Sequence, residues 1–187
     1  MRKLFVSIVA VVLWMASMLP MSASELAGVS LPDTVKVGNA TLVLKGMGLR
    51  TKFMVKVYVA GLYLVQKSSD PDAILKVDSS KRMVMQFVRG VSKNQISDAF
   101  VESFNDNAPD ATRTMKADID RLLAALEPLK EGDQMVFTYV PGTGTTLAIN
   151  GQEKLTIAGA PFGQVMFSVW LGPKPPTAAL KKGLLGG

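Results

Sequence analysis

Between Gly46 and Leu64 the chain reads GMGLRTKFMVKVYVAGLYL, setting Arg50, Lys52, Lys56 and Tyr58 among β-branched and aromatic residues. A guanidinium beside a phenol can grip a carboxylate or stabilise developing oxyanion charge. On one straight strand the even-numbered residues Arg50, Lys52, Met54, Lys56 and Tyr58 share a face, and Phe53, Val55, Val57 and Val59 form the opposite one, an ordinary core face. Arg50 and Tyr58 would then stand roughly 26 Å apart at ~3.3 Å per residue, too far to hold one small ligand, so a shared site requires a bend or strand reversal between them. Thr51-Lys52-Phe53 holds neither Gly nor Pro. Pattern alone leaves two readings open: a surface Arg with a half-buried Tyr, or a joint site.

Absences narrow the chemistry further. With neither Cys nor His, the chain can form no disulfide, and a zinc site would lack both of its usual ligands and haem its commonest ones. The Ser-His-Asp and Cys-His nucleophile systems are excluded as well. No metal site and no cofactor are expected, and none of the residues is assigned as catalytic. Gly46-Met47-Gly48 lacks the third glycine of a dinucleotide fingerprint, and Gly142-Thr143-Gly144 lacks the Gly-Lys-Ser/Thr of a P-loop, so both read as turns. Asp118 and Asp120 are two apart and do not share a helix face, which makes them solvated surface groups. The methionines at 47, 54, 83, 85, 115, 135 and 166 sit in apolar patterns and read as core filling.

The elements that must position Arg50 and Tyr58 are legible from periodicity. Thr34 to Val37, Gly38-Asn39 and Ala40 to Leu44 predict a β-hairpin, and strand-rich sequence continues to about Val65. Ser69-Asp70-Pro71-Asp72 starts a short helical piece ending near Lys76. Met83 to Val88 predicts a strand, and the Ser92/Gln95 capping-box spacing opens a helix over about Lys93 to Asn105. Met115, Ile119, Leu122, Leu123 and Leu126 predict another helix ending near Pro128. Gln134 to Val140, Thr145 to Ile149 and Glu153 to Ile157 read as three antiparallel strands, the last two joined at Asn150-Gly151. Phe162, Val165, Met166, Val169 and Trp170 share one face of a helix that Gly172-Pro173 stops, and a Lys/Leu segment over Thr177 to Leu185 follows. The pattern is α+β: a large antiparallel sheet with a layer of helices on one side.

The first residues carry Met1-Arg2-Lys3, an apolar run from Leu4 to Leu19, and then Ser22-Ala23-Ser24. That order predicts a secretory signal peptide over residues 1–23, cleaved after Ala23, since the run falls short of the ~20 residues needed to span a bilayer. Residues 24–187 then form one domain in the periplasm, with no stable membrane span. The positive charge, +6 for the whole chain, is spread without a basic block, which argues against a nucleic-acid partner.

Gly48-Leu49-Arg50, Val57-Tyr58-Val59-Ala60-Gly61-Leu62-Tyr63 and Ser168-Val169-Trp170-Leu171-Gly172, followed by Lys181 and Leu184-Leu185-Gly186, together resemble the chalcone isomerase superfamily, closest to its bacterial chalcone-isomerase-like, non-catalytic members. The resemblance runs from about Gly28 to Gly186. It implies an open-faced β-sandwich with a ligand cleft between sheet and helices. In the plant enzymes it resembles, the arginine lies in the cleft and a Thr stands at the position of Tyr58. Their catalytic Tyr and Asn align with Ile96 and Ser103, so the enone-polarising network is largely missing here. The segment from Arg50 to Tyr58 is also a few residues shorter. The resemblance to the fatty-acid-binding branch, which keeps an Arg and a Tyr for a carboxylate, is closer.

The expected function is therefore an exported, non-catalytic protein that binds a small amphipathic carboxylate, such as a fatty acid, with Arg50 and Tyr58 at the head group. Ile96, Phe100, Ser103, Phe104, Val165 and Val169 would line the cleft, and neither Arg50 nor Tyr58 would support the core. An intramolecular lyase or isomerase acting on a chalcone-like enone is the first alternative. A periplasmic structural or interaction module with a closed cleft is the second.

Overall fold

A computed structural model describes residues 23–187, so the expected leader lies outside the described part apart from Ala23. A small hairpin, β1 (Ala23–Leu26) and β2 (Val29–Pro32), precedes a seven-stranded sheet. Its strands are β3 (Thr34–Val37), β4 (Ala40–Lys52), β5 (Val55–Leu64), β6 (Lys81–Phe87), β7 (Gln134–Val140), β8 (Gly144–Ile149) and β9 (Gln152–Ile157), neighbours in chain order and antiparallel throughout. Between β5 and β6 runs α1 (Pro71–Lys76). Between β6 and β7 run α2 (Lys93–Asn107), α3 (Pro109–Thr114) and α4 (Lys116–Ala125), and α5 (Ala160–Leu171) and α6 (Ala178–Leu184) close the chain. The expected α+β architecture is present; α3 is an addition that periodicity did not signal.

Side-chain alternation divides the sheet into two faces. Tyr58, Ala60, Leu62 and Leu64 of β5 join the main core with Phe100, Phe104, Phe137, Phe167 and Trp170 under the helices, while Val59 and Tyr63 join a second core with Val29 and Leu31 of β2. Helices cover the first face and the β1–β2 hairpin lies on part of the second. The capping box is formed: the Ser92 hydroxyl accepts from the Gln95 amide while the Gln95 side chain accepts from the Ser92 amide, fixing where α2 begins.

Two glycines allow the closest helix–sheet approach, and they correct the reading of Gly46-Met47-Gly48 as a turn. All three residues lie inside β4. A Cβ at Gly46 would stand 2.3 Å from the Gly183 carbonyl oxygen and one at Gly48 2.4 Å from that of Leu180, so α6 rests directly on the β4 backbone. Gly142-Thr143-Gly144 does form a turn, with Gly142 at φ 76°.

The straight strand from Gly46 to Leu64 is replaced by a hairpin. The chain reverses at Phe53-Met54, with Lys52 opposite Val55 and both turn residues at positive φ, 49° and 65°. That is the backbone a two-residue primed turn demands, but such turns ordinarily use Gly, Asn or Asp. Gly38-Asn39 and Asn150-Gly151 obey the preference, and Ala27-Gly28 obeys it at its second position only, with Ala27 at φ 51°.

Candidate functional site

The reversal places Arg50 directly across from Tyr58 in the β4–β5 register. Residues so opposed have Cα atoms about 4.5 to 5.5 Å apart, in place of the tens of ångströms along a straight strand. Both line a cleft of about 590 Å³, within the range of small-molecule sites. Its sheet wall adds Met85 and Phe87 of β6, α2 supplies Ile96, Phe100 and Ser103, and the end of α5 supplies Val169 and Trp170.

The cleft has this position because of what fills the rest of the helix-covered face. Over Gly46 and Gly48 the space is taken by α6, whose Lys181 Nζ donates to the Gly172 carbonyl (2.9 Å) at the end of α5. Two residue pairs further along the hairpin, at Arg50 and Tyr58, that cover has ended. β6 also ends here: its pairing with β5 reaches Tyr58 opposite Phe87, with a last bond from the Val88 amide to the Val57 carbonyl (3.0 Å). Beyond it β4 and β5 continue as a two-stranded ribbon, and a register shift between Arg50 and Thr51 breaks the alternation of faces. Val55 and Val57, which strict parity assigns to the opposite face, consequently line the cleft with Tyr58. Phe53 is exposed, not part of a core face, and Met54 forms the turn away from the cleft lining.

Of the expected lining residues, Ile96, Phe100, Ser103 and Val169 are in place, while Phe104 and Val165 are not. Phe104 lies one turn further along α2, wholly buried and stacked on Phe100 at 6.0 Å between ring centroids. Val165 lies one turn before Val169 on α5, packed against the main core away from the mouth. Helical spacing identifies which residues share a face; how far along that face the cleft extends depends on where the covering elements stop.

Trp170 is a cleft residue that its place in the helical pattern marks only as core. Its indole Nε1–H donates to the Tyr58 hydroxyl oxygen at 3.2 Å, and both rings are buried. Tyr58 therefore does support the core, contrary to expectation. Burial pushes the Tyr58 hydroxyl up to about 12, against smaller opposing effects from the Trp170 hydrogen bond and the Arg50 charge. At physiological pH it is a protonated phenol. Because its oxygen accepts from Trp170, its own proton is the part left to offer a ligand in the cleft. Phe87 packs at 5.5 Å from the Tyr58 ring, and Phe100 and Phe137 stand 6.2 and 5.7 Å from Trp170, so the floor is aromatic.

Charge gathers at the mouth. Arg50, half-buried, donates from Nη1 to the Thr51 carbonyl and is joined at the rim by Lys52 and Arg89. Across the opening α2 presents Asp98, Glu102 and Asp106, the last paired with Lys174 at 3.0 Å. A second depression, about 550 Å³, is lined by Glu25, Asp33, Lys45 and Lys67 among others and has no aromatic wall. Among the described residues no cluster of three or more acidic side chains could hold a metal ion, and no described helix is long and apolar enough to cross a membrane.

A family model described as chalcone isomerase-like matches residues 23–186. Among solved structures, the crystal structure of a fatty-acid binding protein from Arabidopsis thaliana superposes with a TM-score of 0.70 at 15% identity, covering 88% of this chain and 96% of that one. At that identity the likeness establishes the fold. No curated protein matches the sequence.

Proposed function

The chain belongs to the chalcone isomerase-like family, and from that premise we propose that its cleft binds an amphipathic carboxylate of the fatty-acid type without catalysing a reaction. The observation that carries this reading is the Tyr58 hydroxyl: held as an acceptor by Trp170, still protonated, and opposite Arg50 at the mouth of an apolar cleft. One carboxylate oxygen would accept from Tyr58 while the guanidinium supplies a charge-assisted partner, and the acyl chain would lie against Met85, Phe87, Ile96, Phe100 and Val169. The fold shared with a fatty-acid binding protein supports the same class of ligand.

One feature argues against an isomerase: Ile96, at the position the resemblance aligns with a catalytic Tyr of the plant enzymes, lines the cleft without offering it a hydrogen-bonding group. The decisive experiment titrates a fatty-acid series into the wild type and Arg50→Ala. The variant should lose about 1.5 to 3 kcal/mol, roughly ten- to 150-fold in Kd. Equal affinities would sink the carboxylate reading, and chalcone turnover above the solution rate that vanishes in Arg50→Ala would replace it with the enzyme. The reading includes export and cleavage near Ala23, leaving residues 24–187 in the periplasm. A full-length intact mass for protein recovered from that compartment would count against it.

A further inference from the structure

Ligand binding does not account for the whole Phe53-Met54 turn, since Phe53 lines the cleft but Met54 does not. Phe53 is 89% exposed and Met54 97%, and Val55 beside them is exposed as well, three successive apolar residues at the end of a two-stranded ribbon. Both turn residues occupy the left-handed region, which L side chains enter at a cost that Gly or Asn avoids. The Gly38-Asn39 and Asn150-Gly151 turns of the same sheet avoid that cost. The two side chains also bury nothing that would offset it. Around them stand Lys52 and Lys56, one on each strand of the hairpin and both exposed, with Arg89 beyond the end of the neighbouring strand.

We propose that this hairpin tip docks the protein onto an anionic lipid bilayer, Phe53 and Met54 entering the interface while Lys52, Lys56 and Arg89 meet head-group phosphates. Apolar side chains ringed by lysine and arginine are the complement of such a surface. A protein partner fits less well, since a specific interface buries about 800 Å² on each side and three side chains at a ribbon end fall far short of that. Asp98, Glu102 and Asp106 across the mouth on α2 oppose a flat approach, so the molecule would dock by the hairpin corner. Lys52 and Phe53 also line the cleft, so a docked tip would hold the mouth at head-group depth, where amphipathic carboxylates partition. That last step rests on the proposed function; the docking does not.

The test is co-sedimentation with phosphatidylcholine vesicles, with and without phosphatidylglycerol, at low and high salt. The wild type should bind the anionic vesicles, more weakly as salt rises, and bind the neutral ones poorly. Phe53→Asn with Met54→Gly suits the turn better, so it should keep or raise the unfolding temperature while losing at least about tenfold in vesicle binding. Met54→Asn, outside the cleft lining, should lose part of it, and Lys52→Gln and Lys56→Gln about fivefold each on anionic vesicles alone. Unchanged vesicle binding in the double variant, no preference for anionic lipid, or self-association that the double variant abolishes would each overturn the proposal. Tyr58→Phe separates the two readings: it should weaken fatty-acid binding in lipid-free buffer yet leave vesicle binding intact. Vesicle binding without fatty-acid binding would remove the cleft reading and leave the docking standing.

Discussion

Deleting one oxygen atom, in Tyr58→Phe, should lower both the stability of the free protein and its affinity for a fatty acid. The first loss arises because Trp170 has no exposed surface and its Nε1–H would be left facing a phenyl edge in place of the hydroxyl 3.2 Å away. A buried donor deprived of its partner costs about 1 to 3 kcal/mol. For a domain of this size each 1 kcal/mol shifts the midpoint by about 2 to 4 °C, so a fall of roughly 2 to 12 °C is expected. The second loss is that of a neutral donor to the carboxylate, about 0.5 to 1.5 kcal/mol, smaller than the loss for Arg50→Ala. Urea unfolding of Tyr58→Phe, Trp170→Phe and the double variant isolates the pair. In the Trp170→Phe background no indole N–H remains to be stranded, so the stability cost of Tyr58→Phe should shrink by about 1 kcal/mol. Strict additivity, or an unchanged midpoint in Tyr58→Phe, would show that the Trp170–Tyr58 bond does not hold the phenol in place.

Gly48→Ala should destabilise by about 1 to 3 kcal/mol, since its methyl would meet the Leu180 backbone 2.4 Å away and push α6 off β4; urea unfolding measures it, and an unchanged midpoint would refute the close contact. All three tyrosines should titrate late: burial raises Tyr58, Tyr63 and Tyr139 to about 12, with Asp33 adding to the rise at Tyr63 and Asp78 at Tyr139. The unfolded chain sheds these protons near pH 10, so the folded state holds more protons between about pH 10 and 12, and the stability the tyrosines contribute is complete below that window and lost as pH rises through it. Absorbance at the tyrosinate band should therefore rise together with loss of near-ultraviolet circular dichroism, and a tyrosine that ionises near pH 10 in the folded protein would contradict its burial.

Much of the architecture follows from local patterns. Gly38-Asn39 and Asn150-Gly151 carry the residues a tight turn needs, Ser92 and Gln95 carry their own helix start, and the alternation in β5 assigns Tyr58, Ala60 and Leu62 to one face with no reference to the rest of the chain. Arg50 and Tyr58 stood out for the same reason, polar groups within an apolar strand pattern. Their meeting was decided at Phe53-Met54, a turn without a turn residue. Two apolar side chains at positive φ oppose local preference, and the reversal is held by the ladders of β4 and β5 on either side. Trp170 likewise reads as one more apolar position on a helical face, because its partner lies 112 residues earlier in the chain. Gly46 and Gly48 look like flexible punctuation until α6 is laid on them. Lys81, at the start of β6, is buried, its Nζ donating to the carbonyls of Ile74 (2.7 Å) and Val77 (2.9 Å) at the end of α1, partners that no local pattern around it specifies. Periodicity, capping and turn chemistry act over a few residues and are therefore present in the sequence itself. The reversal, the phenol's partner and the boundary of the cleft depend on which distant elements cover one another, and only the closed tertiary structure determines that.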